Sequence, residues 1–243
     1  MKITVVTTFS KENWDAYASR SIATWFKYFD SSINFQFHCD WKPIDNPRIT
    51  YIDSSLEKEN FLSRNYAIDR KYTKSRHSQG YTTRWDVYCH KVFAQCETAL
   101  TVDTDLLLFL DADVACLSKI TPELLYSLVG DNFCGFVGRD SPGTETGFIL
   151  YNLNKDPEKT FFKKFLNIYT SDEIFELDQW DDCFVFDICR TTSNLNFKNL
   201  SGKYTNFLDP IAVGHLGEFF DHWISKKSKR QGSSKFRKFR GKI

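Results

Sequence analysis

The sequence lacks any apolar run close to the ~20 residues that a membrane-spanning helix needs. Its first ten residues, MKITVVTTFS, turn polar after a short apolar stretch, which is not the pattern of a secretory signal peptide. Apolar residues still make up 42% of the 243 residues, which is enough to build a substantial core. These features predict a soluble cytoplasmic protein with one large domain.

The sequence also lacks paired cysteines. Seven cysteines are scattered at positions 39, 89, 96, 116, 134, 183 and 189, and no two of them form a CxxC motif. A disulfide framework or a zinc site of the CxxC type would require such pairs. We therefore expect small buried thiols in a reducing compartment.

The net charge of +1 hides an uneven distribution of charge. Residues 222–243 contain nine Lys and Arg and no Asp or Glu, whereas the other 221 residues contain 23 basic and 31 acidic residues. The sequence therefore predicts a single domain over residues 1–221 and a basic segment over residues 222–243. We expect the distal part of that segment to be mobile.

Hydrophobic patterns predict strands that alternate with helices. Strands are expected at residues 2–8, 33–39, 48–52, 106–110, 132–137, 147–152 and 194–200. Helices are expected at residues 14–29, 56–72, 85–100, 121–129, 157–169 and 177–190, the last with Asp178 near its start. Residues 71–83 are polar and basic and predict a long loop. This order predicts an α/β sandwich with a mainly parallel sheet, in which ligands bind beyond the carboxyl ends of the strands.

Two carboxylates follow the most apolar strand, in the stretch LLLFLDAD. If the side chains keep the alternation of the strand, Asp111 and Asp113 point to the same side, where like charges repel unless a cation lies between them. Mg²⁺ and Mn²⁺ prefer oxygen ligands and are commonly held by one or two carboxylates plus substrate phosphates. The alternative interpretation is a solvated turn in which Asp111 caps a helix.

FLDAD after an apolar strand, in the middle of an α/β chain, resembles the DxD motif of the GT-A glycosyltransferases. The resemblance implies a GT-A (Rossmann-like) α/β/α sandwich, a nucleotide-sugar donor and a Mn²⁺ or Mg²⁺ cofactor. It also implies that Asp113 binds the metal, that Asp111 contacts the metal or the ribose, and that Ala112 lies at the donor. Such a metal offsets the charge that develops on the leaving diphosphate.

Other stretches resemble the same family, in the same order along the chain. VVTTF resembles the first, nucleotide-binding strand, which implies donor contacts for Thr7, Thr8 and Phe9. RWDVYCHKVFA, residues 84–94, resembles the R…HK segment of phage and bacterial members. That resemblance implies that Arg84 and Lys91 face the diphosphate or the sugar. For Lys91, a solvated helix face is the alternative.

ETGFILYNL, residues 145–153, resembles the ETGF strand that lines the donor-sugar and acceptor side in the family. The resemblance implies acceptor contacts for Thr146 and Gly147. Glu145 would be a general base if the enzyme inverts configuration at the transferred sugar. A loop carboxylate without a role is the alternative for Glu145.

LDQWDDCFVFD, residues 177–187, resembles the family segment L-x-x-W-H-D-x-x-V-F-D. Asp182 matches the aspartate of that segment, which makes it the second candidate for the general base. Asp181 stands where the family has a histidine, and with Trp180 it is assigned to the acceptor. A retaining enzyme would need no such base, and the sequence leaves the stereochemistry open.

HLGEFFDHWISKKSKRQGSS, residues 215–234, resembles a C-terminal segment DH-x-KG-x-RK-x-G-x-S. The resemblance implies that His222 completes the metal site, with His215 as the competing ligand. It also implies that Lys226, Lys229 and Arg230 bind the phosphates. The proximal part of the basic segment would then close the donor site.

The resemblance implies transfer of a sugar from a nucleotide diphosphate sugar, with UDP as the commonest donor in the family, to an acceptor hydroxyl. Phe236 and Phe239 alternate with the positive charges of the tail, a composition that suits an anionic acceptor such as DNA. Phage relatives suggest a hydroxymethylated base in DNA as that acceptor. A lipid or polysaccharide at an anionic membrane surface is the less favoured choice, and no protein partner is evident.

Two other classes of function remain open. A sugar-nucleotide hydrolase or a nucleotidyltransferase would use the same metal and carboxylates, although TTFSKENWD has no glycine, unlike the Gly-rich N-terminal loop typical of nucleotidyltransferases. A non-enzymatic DNA-binding protein would suit the tail. The acidic residues 1–221 and the DxD at a strand end argue against it.

Overall fold

A computed structural model describes residues 1–67, 84–140, 143–203, 205 and 209–234 of the chain. The expected loop at residues 71–83, residues 68–72 of an expected helix, and the distal basic residues 235–243 lie outside the described residues. None of the described helices is long and apolar enough to cross a membrane. All seven cysteines are unpaired, and five of them are buried, as the sequence predicted.

The described residues form nine strands, seven of which make one central sheet. The strands are β1 (Ile3–Thr8), β2 (Asn34–His38), β3 (Ile49–Ile52), β4 (Leu106–Leu110), β5 (Val114–Cys116), β6 (Cys134–Val137), β7 (Glu145–Asn152), β8 (Phe197–Asn199) and β9 (Phe220–His222). The large sheet has the order β3-β2-β1-β4-β7-β6-β8, and β5 pairs with β9 in a separate ribbon.

The sheet is parallel except for β7, which is antiparallel to both of its neighbours, β4 and β6. From β1 the chain proceeds outward through β2 and β3, and then returns to place β4 on the other side of β1. This change of direction makes the gap between β1 and β4 a topological switch point, where α/β sheets bind their ligands. The expected mainly parallel sheet is confirmed.

Nine α-helices cover the sheet within the described residues. They are α1 (Lys11–Asn13), α2 (Ser19–Tyr28), α3 (Leu56–Tyr66), α4 (Trp85–Thr101), α5 (Pro122–Val129), α6 (Thr160–Thr170), α7 (Asp182–Thr191), α8 (Pro210–Val213) and α9 (Lys226–Gln231). A π-helical turn, Trp14–Ala18, joins α1 to α2, and 3₁₀ turns lie at Leu153–Lys155, Glu173–Glu176 and His215–Glu218.

Alternating side chains divide the core between the two faces of the sheet. From β4, Leu107 and Phe109 pack with α4, α6 and α7 on one face, whereas Leu106, Leu108 and Leu110 pack with α2 and α5 on the other. All five residues of β4 are buried, because this central strand has helices on both sides. Burial of each such side chain contributes roughly 1.5–3 kcal/mol, so the central strand is firmly held where it delivers Asp111.

Several helices begin later than the sequence pattern predicted. The expected helix at residues 177–190 begins at Asp182, because the Asp181 side chain caps it by accepting a hydrogen bond from the Phe184 amide. Asp178 therefore lies outside that helix. The expected helix at residues 157–169 begins at Thr160, where the Asp156 carboxylate accepts from the first amides. The expected helix at residues 14–29 starts with the π-helical turn Trp14–Ala18 and continues as α2 from Ser19.

Candidate active site

A cavity of about 1010 Å³ opens at the switch point, beyond the carboxyl ends of β1, β2 and β4. Of the candidates from the sequence, seven line this cavity: Thr8, Phe9, Lys91, Asp111, Ala112, Asp113 and Lys229. Its wall also includes Tyr17, His38, Lys58 and Tyr88. A volume of this size accommodates a ligand larger than a monosaccharide.

The turn that carries the two aspartates is held in place by α2 and β7. The Ser21 hydroxyl donates to the Ala112 carbonyl between the aspartates, and the Trp25 indole donates to the Val114 carbonyl over 2.7 Å. The Asp111 amide donates to the Gly147 carbonyl over 2.9 Å. The chain after β4 is therefore fixed on both sides, which presents Asp111 and Asp113 in a defined orientation.

His222 completes a group of three potential metal ligands with these aspartates. Pairing of β5 with β9 sets His222 opposite Val114, next to the DxD turn. One ligand atom from each of Asp111, Asp113 and His222 lies within 4.8 Å of the others. The Nδ1 atom of His222 lies 3.3 Å from Oδ1 of the fully buried Asp209, so Nε2 is directed toward Asp113. A carboxylate behind a ligating histidine is a common arrangement in metal sites.

Two observations fit a divalent cation at this group. Within the described part of the chain, Asp113 Oδ1 is buried without a hydrogen bond, and His222 Nε2 faces it at 3.4 Å, as two ligands of a shared ion would. A side chain at Gly147 would fill this space, because an added Cβ would lie 3.0 Å from Glu145 Oε1, 3.3 Å from His222 Cε1 and 3.4 Å from Asp111 Oδ2. Two carboxylates and one imidazole form a donor set that suits Mn²⁺ or Mg²⁺.

Burial and neighbouring charges set the protonation of this group. Burial raises the pKa of Asp111 to about 6, against the opposing effect of Lys91. Burial would also raise the pKa of Asp113, but His222 and Lys229 hold it below its ordinary range. Burial opposes the charge on His222, whose pKa is nevertheless raised well above the usual value by Asp209 and Asp113. Asp113 is thus a full negative charge at neutral pH.

Lys91 joins the DxD to α7. Its Nζ lies 3.0 Å from Asp111 Oδ2 and 2.9 Å from Asp182 Oδ2, and it donates to the Thr146 hydroxyl over 3.1 Å. Thr146 in turn donates to Asp182 Oδ2 over 2.6 Å. Burial opposes the charge on Lys91, but the two carboxylates raise its pKa well above the ordinary value. The solvated helix face considered from sequence is therefore wrong for Lys91, whose side chain is 15% exposed and is paired with two carboxylates at the cavity wall.

Glu145 is buried in a similar way, beside Gly147. Its Oε2 lies 3.0 Å from Arg139 Nη1 and its Oε1 accepts from the Gly147 amide over 2.9 Å. Arg139 also donates to the carbonyls of Gly143 and Thr144, which ties the start of β7 to the end of β6. Both carboxylate oxygens of Glu145 are thus engaged.

No protein-family profile and no curated protein matches the chain in sequence. In structure it is similar to mouse xyloside xylosyltransferase 1 in its apo form, with a TM-score of 0.55, 12% identity, and coverage of 82% of this chain and 85% of that chain. It is also similar to the galactosyltransferase LgtC in complex with donor and acceptor sugar analogues, with a TM-score of 0.54, 14% identity, and coverage of 99% and 100%. The chain has the GT-A fold.

A third structure with this GT-A fold is the glycosyltransferase GlyE from Streptococcus pneumoniae TIGR4, with a TM-score of 0.51 and 14% identity. The similarity covers 84% of this chain and 46% of the pneumococcal chain, so this chain spans about half the length of that protein. The GT-A architecture expected from the sequence is confirmed.

Three further candidates from the sequence lie away from the group of potential metal ligands. Arg84 precedes α4 and pairs with Asp86, and its side chain is 56% exposed. Trp180 is buried, with its ring centroid 5.0 Å from that of Phe175. His215 is an exposed residue 3.6 Å from Glu218, so of the two competing histidines it is His222 that joins the aspartates.

The other four candidates divide into buried and exposed residues. Thr7 is fully buried at the end of β1, and Asp181 is the buried N-cap of α7. Lys226 and Arg230 are exposed on α9. Burial raises the pKa of Asp181 to about 6, with a further contribution from Asp182.

A second group of potential ligands, Asp181, Asp182 and Cys183, lies within the described residues. Two of its oxygens already have partners, because Asp181 Oδ1 caps α7 and Asp182 Oδ2 is paired with Lys91. Within the described residues, Asp181 Oδ2 is buried without a hydrogen-bond partner.

Four residues that support the site from other elements are not among the candidates from the sequence. Ser21 and Trp25 appeared only as parts of a helix, and Arg139 and Asp209 were not singled out. Asp209 precedes a proline, which is a helix-start signal, and its side chain does accept from the Ala212 amide. Its contact with His222 could not be seen in the sequence, because it depends on how the chain folds back.

Proposed function

We propose that this chain is a metal-dependent glycosyltransferase that moves a sugar from a nucleotide diphosphate sugar to an acceptor hydroxyl. The observation that carries the proposal is the group Asp111, Asp113 and His222, whose two aspartates line a large cavity at the switch point of a GT-A fold. UDP is the favoured nucleotide, on the sequence resemblance alone.

Asp111, Asp113 and His222 would hold the Mn²⁺ or Mg²⁺ ion. When bound there, the ion would supply positive charge against the diphosphate of the donor as it leaves. Asp209 would keep the ring of His222 oriented, because it lies beside Nδ1 and leaves Nε2 for the ion.

Residues of the cavity wall would bind the remainder of the donor. Thr8 and Phe9 lie at the end of β1, where the nucleoside would enter, and the Phe9 ring stacks on Trp14 with centroids 5.4 Å apart. Thr7, Arg84, Lys226 and Arg230 remain donor-binding proposals from the resemblance. Lys229 would reach the diphosphate by charge-assisted hydrogen bonds, because it lies next to Asp113 on the cavity wall.

Asp182 is the better candidate than Glu145 for a group that acts on the acceptor. Both oxygens of Glu145 are taken up by Arg139 and the Gly147 amide, whereas among the described residues Asp182 Oδ1 has only the Cys183 thiol at 3.9 Å. If the enzyme inverts, Asp182 would be the general base, an effect worth roughly 10²–10⁴ in rate. Thr146, Gly147, Trp180 and Asp181 complete the proposed acceptor side.

The donor proposal is tested by thermal unfolding with nucleoside diphosphates and sugar nucleotides, each with and without Mn²⁺. A ligand at about 100 times its dissociation constant should stabilise the protein by about 2.7 kcal/mol. We expect one nucleotide to act only with Mn²⁺, and Asp113→Asn to remove the effect. Asp131→Asn, a change at an exposed aspartate paired with Lys155, is the control and should retain it.

Product analysis then separates the related activities. A glycosyltransferase joins the labelled sugar to an added acceptor, a hydrolase releases it to water at the same rate with or without acceptor, and a nucleotidyltransferase exchanges labelled pyrophosphate. A metal-independent shift, or one that persists in Asp113→Asn, would contradict the proposed donor site.

For the acceptor, we propose a hydroxymethylated base in DNA. The support is the basic composition of residues 222–243, of which residues 235–243 lie outside the described part of the chain. Fluorescence anisotropy should show DNA binding that weakens steeply with salt, by a factor of roughly 10³ or more for several phosphate contacts between 50 and 200 mM salt. A chain ending at residue 234 should bind DNA less tightly and the nucleotide equally well. Preference for anionic vesicles over DNA would favour the lipid or polysaccharide alternative instead.

A further inference from the structure

The short helix α9 brings a cation from the C-terminal segment to the DxD. Lys229 Nζ lies 2.8 Å from Asp113 Oδ2 and 4.3 Å from the centroid of the Tyr17 ring. The other oxygen of the same carboxylate faces His222. Asp113 therefore lies between an imidazole and an ammonium group, and Lys229 supplies positive charge at the carboxylate proposed to hold the metal.

Arg20, on α2, holds the end of α9 that carries Lys229. Its guanidinium donates to the backbone carbonyl of Lys229 and, over 3.0 Å, to that of Arg230. It also donates to the Ala16 carbonyl over 3.0 Å and lies 5.9 Å from the ring centroid of Trp223. A planar guanidinium can make these contacts at once because its five N–H groups have fixed directions, which the single ammonium of a lysine cannot reproduce.

We propose that Arg20 is a positioning residue, which fixes α9 so that the Lys229 ammonium neutralises Asp113 before the metal binds. When the metal and the nucleotide bind, the same ammonium group contacts the diphosphate instead. The part that concerns the diphosphate rests on the proposed function. A divalent cation and an ammonium group on the same carboxylate repel each other. Lys229 therefore opposes binding of the metal alone and favours binding of the metal together with an anionic nucleotide.

Removal of Lys229 should change the affinity for Mn²⁺ alone and the affinity for Mn²⁺ with UDP in opposite directions. Without Lys229 at Asp113, Mn²⁺ alone should bind more tightly, because the competing cation is gone. Mn²⁺ with UDP should bind less tightly, because one partner of the diphosphate is lost. A residue with only a structural role would weaken both affinities or neither.

Calorimetric titration of the full-length protein with Mn²⁺ alone, and with UDP in saturating Mn²⁺, tests this. For Lys229→Met and for Arg20→Gln we expect Mn²⁺ to bind about 10-fold more tightly, equal to about 1.4 kcal/mol, and UDP about 10-fold less tightly. Arg20→Lys should behave as Arg20→Gln, since charge alone does not hold the two carbonyls. In the Lys229→Met background, Arg20→Gln should add nothing to the change in Mn²⁺ affinity, because both act through one contact.

Arg48→Gln is the matched control for Arg20. Arg48 likewise donates to two backbone carbonyls, those of Asp30 and Ile33, and lies over an aromatic ring, that of Phe35 at 5.1 Å. It precedes β3 and so lies at the amino ends of the strands, opposite the site. Its replacement should lower the unfolding temperature and leave both affinities unchanged.

If Arg20→Gln matches Arg48→Gln, with lower stability and unchanged affinities, the positioning role is wrong. The role is also wrong if Lys229→Met binds Mn²⁺ no more tightly than the wild type, including the case in which neither binds it. If UDP binds no variant, the proposed function fails on the nucleotide, whereas the titrations with Mn²⁺ alone still decide whether Arg20 acts on Asp113 through Lys229.

Discussion

At the scale of single residues, Lys91 is the cation shared by two carboxylates of the site. Asp182 is 1% exposed and Asp111 24% exposed at the side chain, so neither is well hydrated when Lys91 is removed. We predict that Lys91→Met destabilises the fold by about 3–5 kcal/mol, the cost of leaving a buried charge without its partner. Urea denaturation at neutral pH measures this.

Two further variants show whether the loss arises from the uncompensated charge. Lys91→Met combined with Asp182→Asn should recover part of the stability, since one of the two stranded charges is gone. Lys155→Met is the control, because that lysine forms an exposed pair with Asp131, and it should cost less than about 1 kcal/mol. A cost for Lys91→Met as small as the control would contradict the buried pairing.

The site also requires a residue without a side chain at position 147, which is Gly147. Its missing side chain leaves the space between Glu145, Asp111 and His222. We predict that Gly147→Ala folds but binds Mn²⁺ at least about 10-fold less tightly, or about 1.4 kcal/mol, because the new methyl group displaces the ligands. Calorimetric titration measures the affinity, and unchanged affinity would show that the space is not used by the ion.

The matched control for that substitution is Gly135→Ala on the neighbouring strand β6. There the added Cβ would meet Leu200 Cδ1 at 3.1 Å, a similarly tight contact with a flexible apolar side chain. It should change stability without changing the affinity for Mn²⁺.

At the scale of elements, the end of β2 carries a buried histidine whose charge opposes folding. His38 is 4% exposed, its Nε2 lies 2.9 Å from the Thr98 hydroxyl, and burial, with the charge of Lys58, lowers its pKa to about 3. The unfolded chain, with a pKa near 6.5, binds the proton first as pH falls. The stability that neutral His38 provides is therefore complete above pH 6.5 and is lost progressively between about pH 6.5 and 3.

We predict that the wild type loses up to about 1.4 kcal/mol of unfolding free energy per pH unit below pH 6.5 relative to His38→Gln. Urea denaturation at pH 7.5, 6 and 5 gives the two slopes. Thr98→Val keeps the titrating ring but removes its contact with the Thr98 hydroxyl, so it should retain the slope of the wild type. If the unfolding free energies of wild type and His38→Gln changed with pH in parallel, the lowered pKa of His38 would be contradicted.

Element boundaries were less predictable from the sequence than the elements themselves. The apolar run of β4 and the Thr121-Pro122 start of α5 mark their elements clearly. The start of α7 was misplaced, because Asp178 and Asp181 are equally good caps in sequence and only the fold selects Asp181. The pair β5–β9 was missed altogether, since strands of three residues carry almost no periodicity.

At the scale of the whole molecule, stability rests on two apolar clusters that the sheet separates. Phe162 is fully buried in the cluster on the face covered by α4, α6 and α7. Its ring centroid lies 4.7 Å from that of Tyr151 and 6.0 Å from that of Phe133. We predict that Phe162→Ala costs about 3–5 kcal/mol, as a large core side chain replaced by a small one does. Urea denaturation followed by far-UV circular dichroism measures the change.

Tyr126→Ala is the control for that substitution, because Tyr126 is 44% exposed, and it should change the unfolding free energy by no more than about 0.5 kcal/mol. If the protein is one cooperative unit, tryptophan fluorescence and circular dichroism should give the same midpoint for each variant. A separation of the two midpoints in Phe162→Ala would show that the two faces of the sheet unfold independently.

The class of fold and the position of the paired aspartates follow from local features of the sequence. Alternating strand and helix patterns favour a parallel sheet, and an uninterrupted apolar strand must be buried on both faces, so Asp111 and Asp113 had to emerge at its end. These features are local, because periodicity and a charge after an apolar run depend only on neighbours along the chain.

Which side chains meet the aspartates depends on long-range contacts in the folded chain. It chose His222 over His215 through the β5–β9 pairing, and it brought Asp209 to the ring of His222. It also set Arg20 against the backbone of Lys229, more than 200 positions away in the chain. No periodicity encodes such contacts, because they arise from the path that the chain takes around the sheet after its strands are paired.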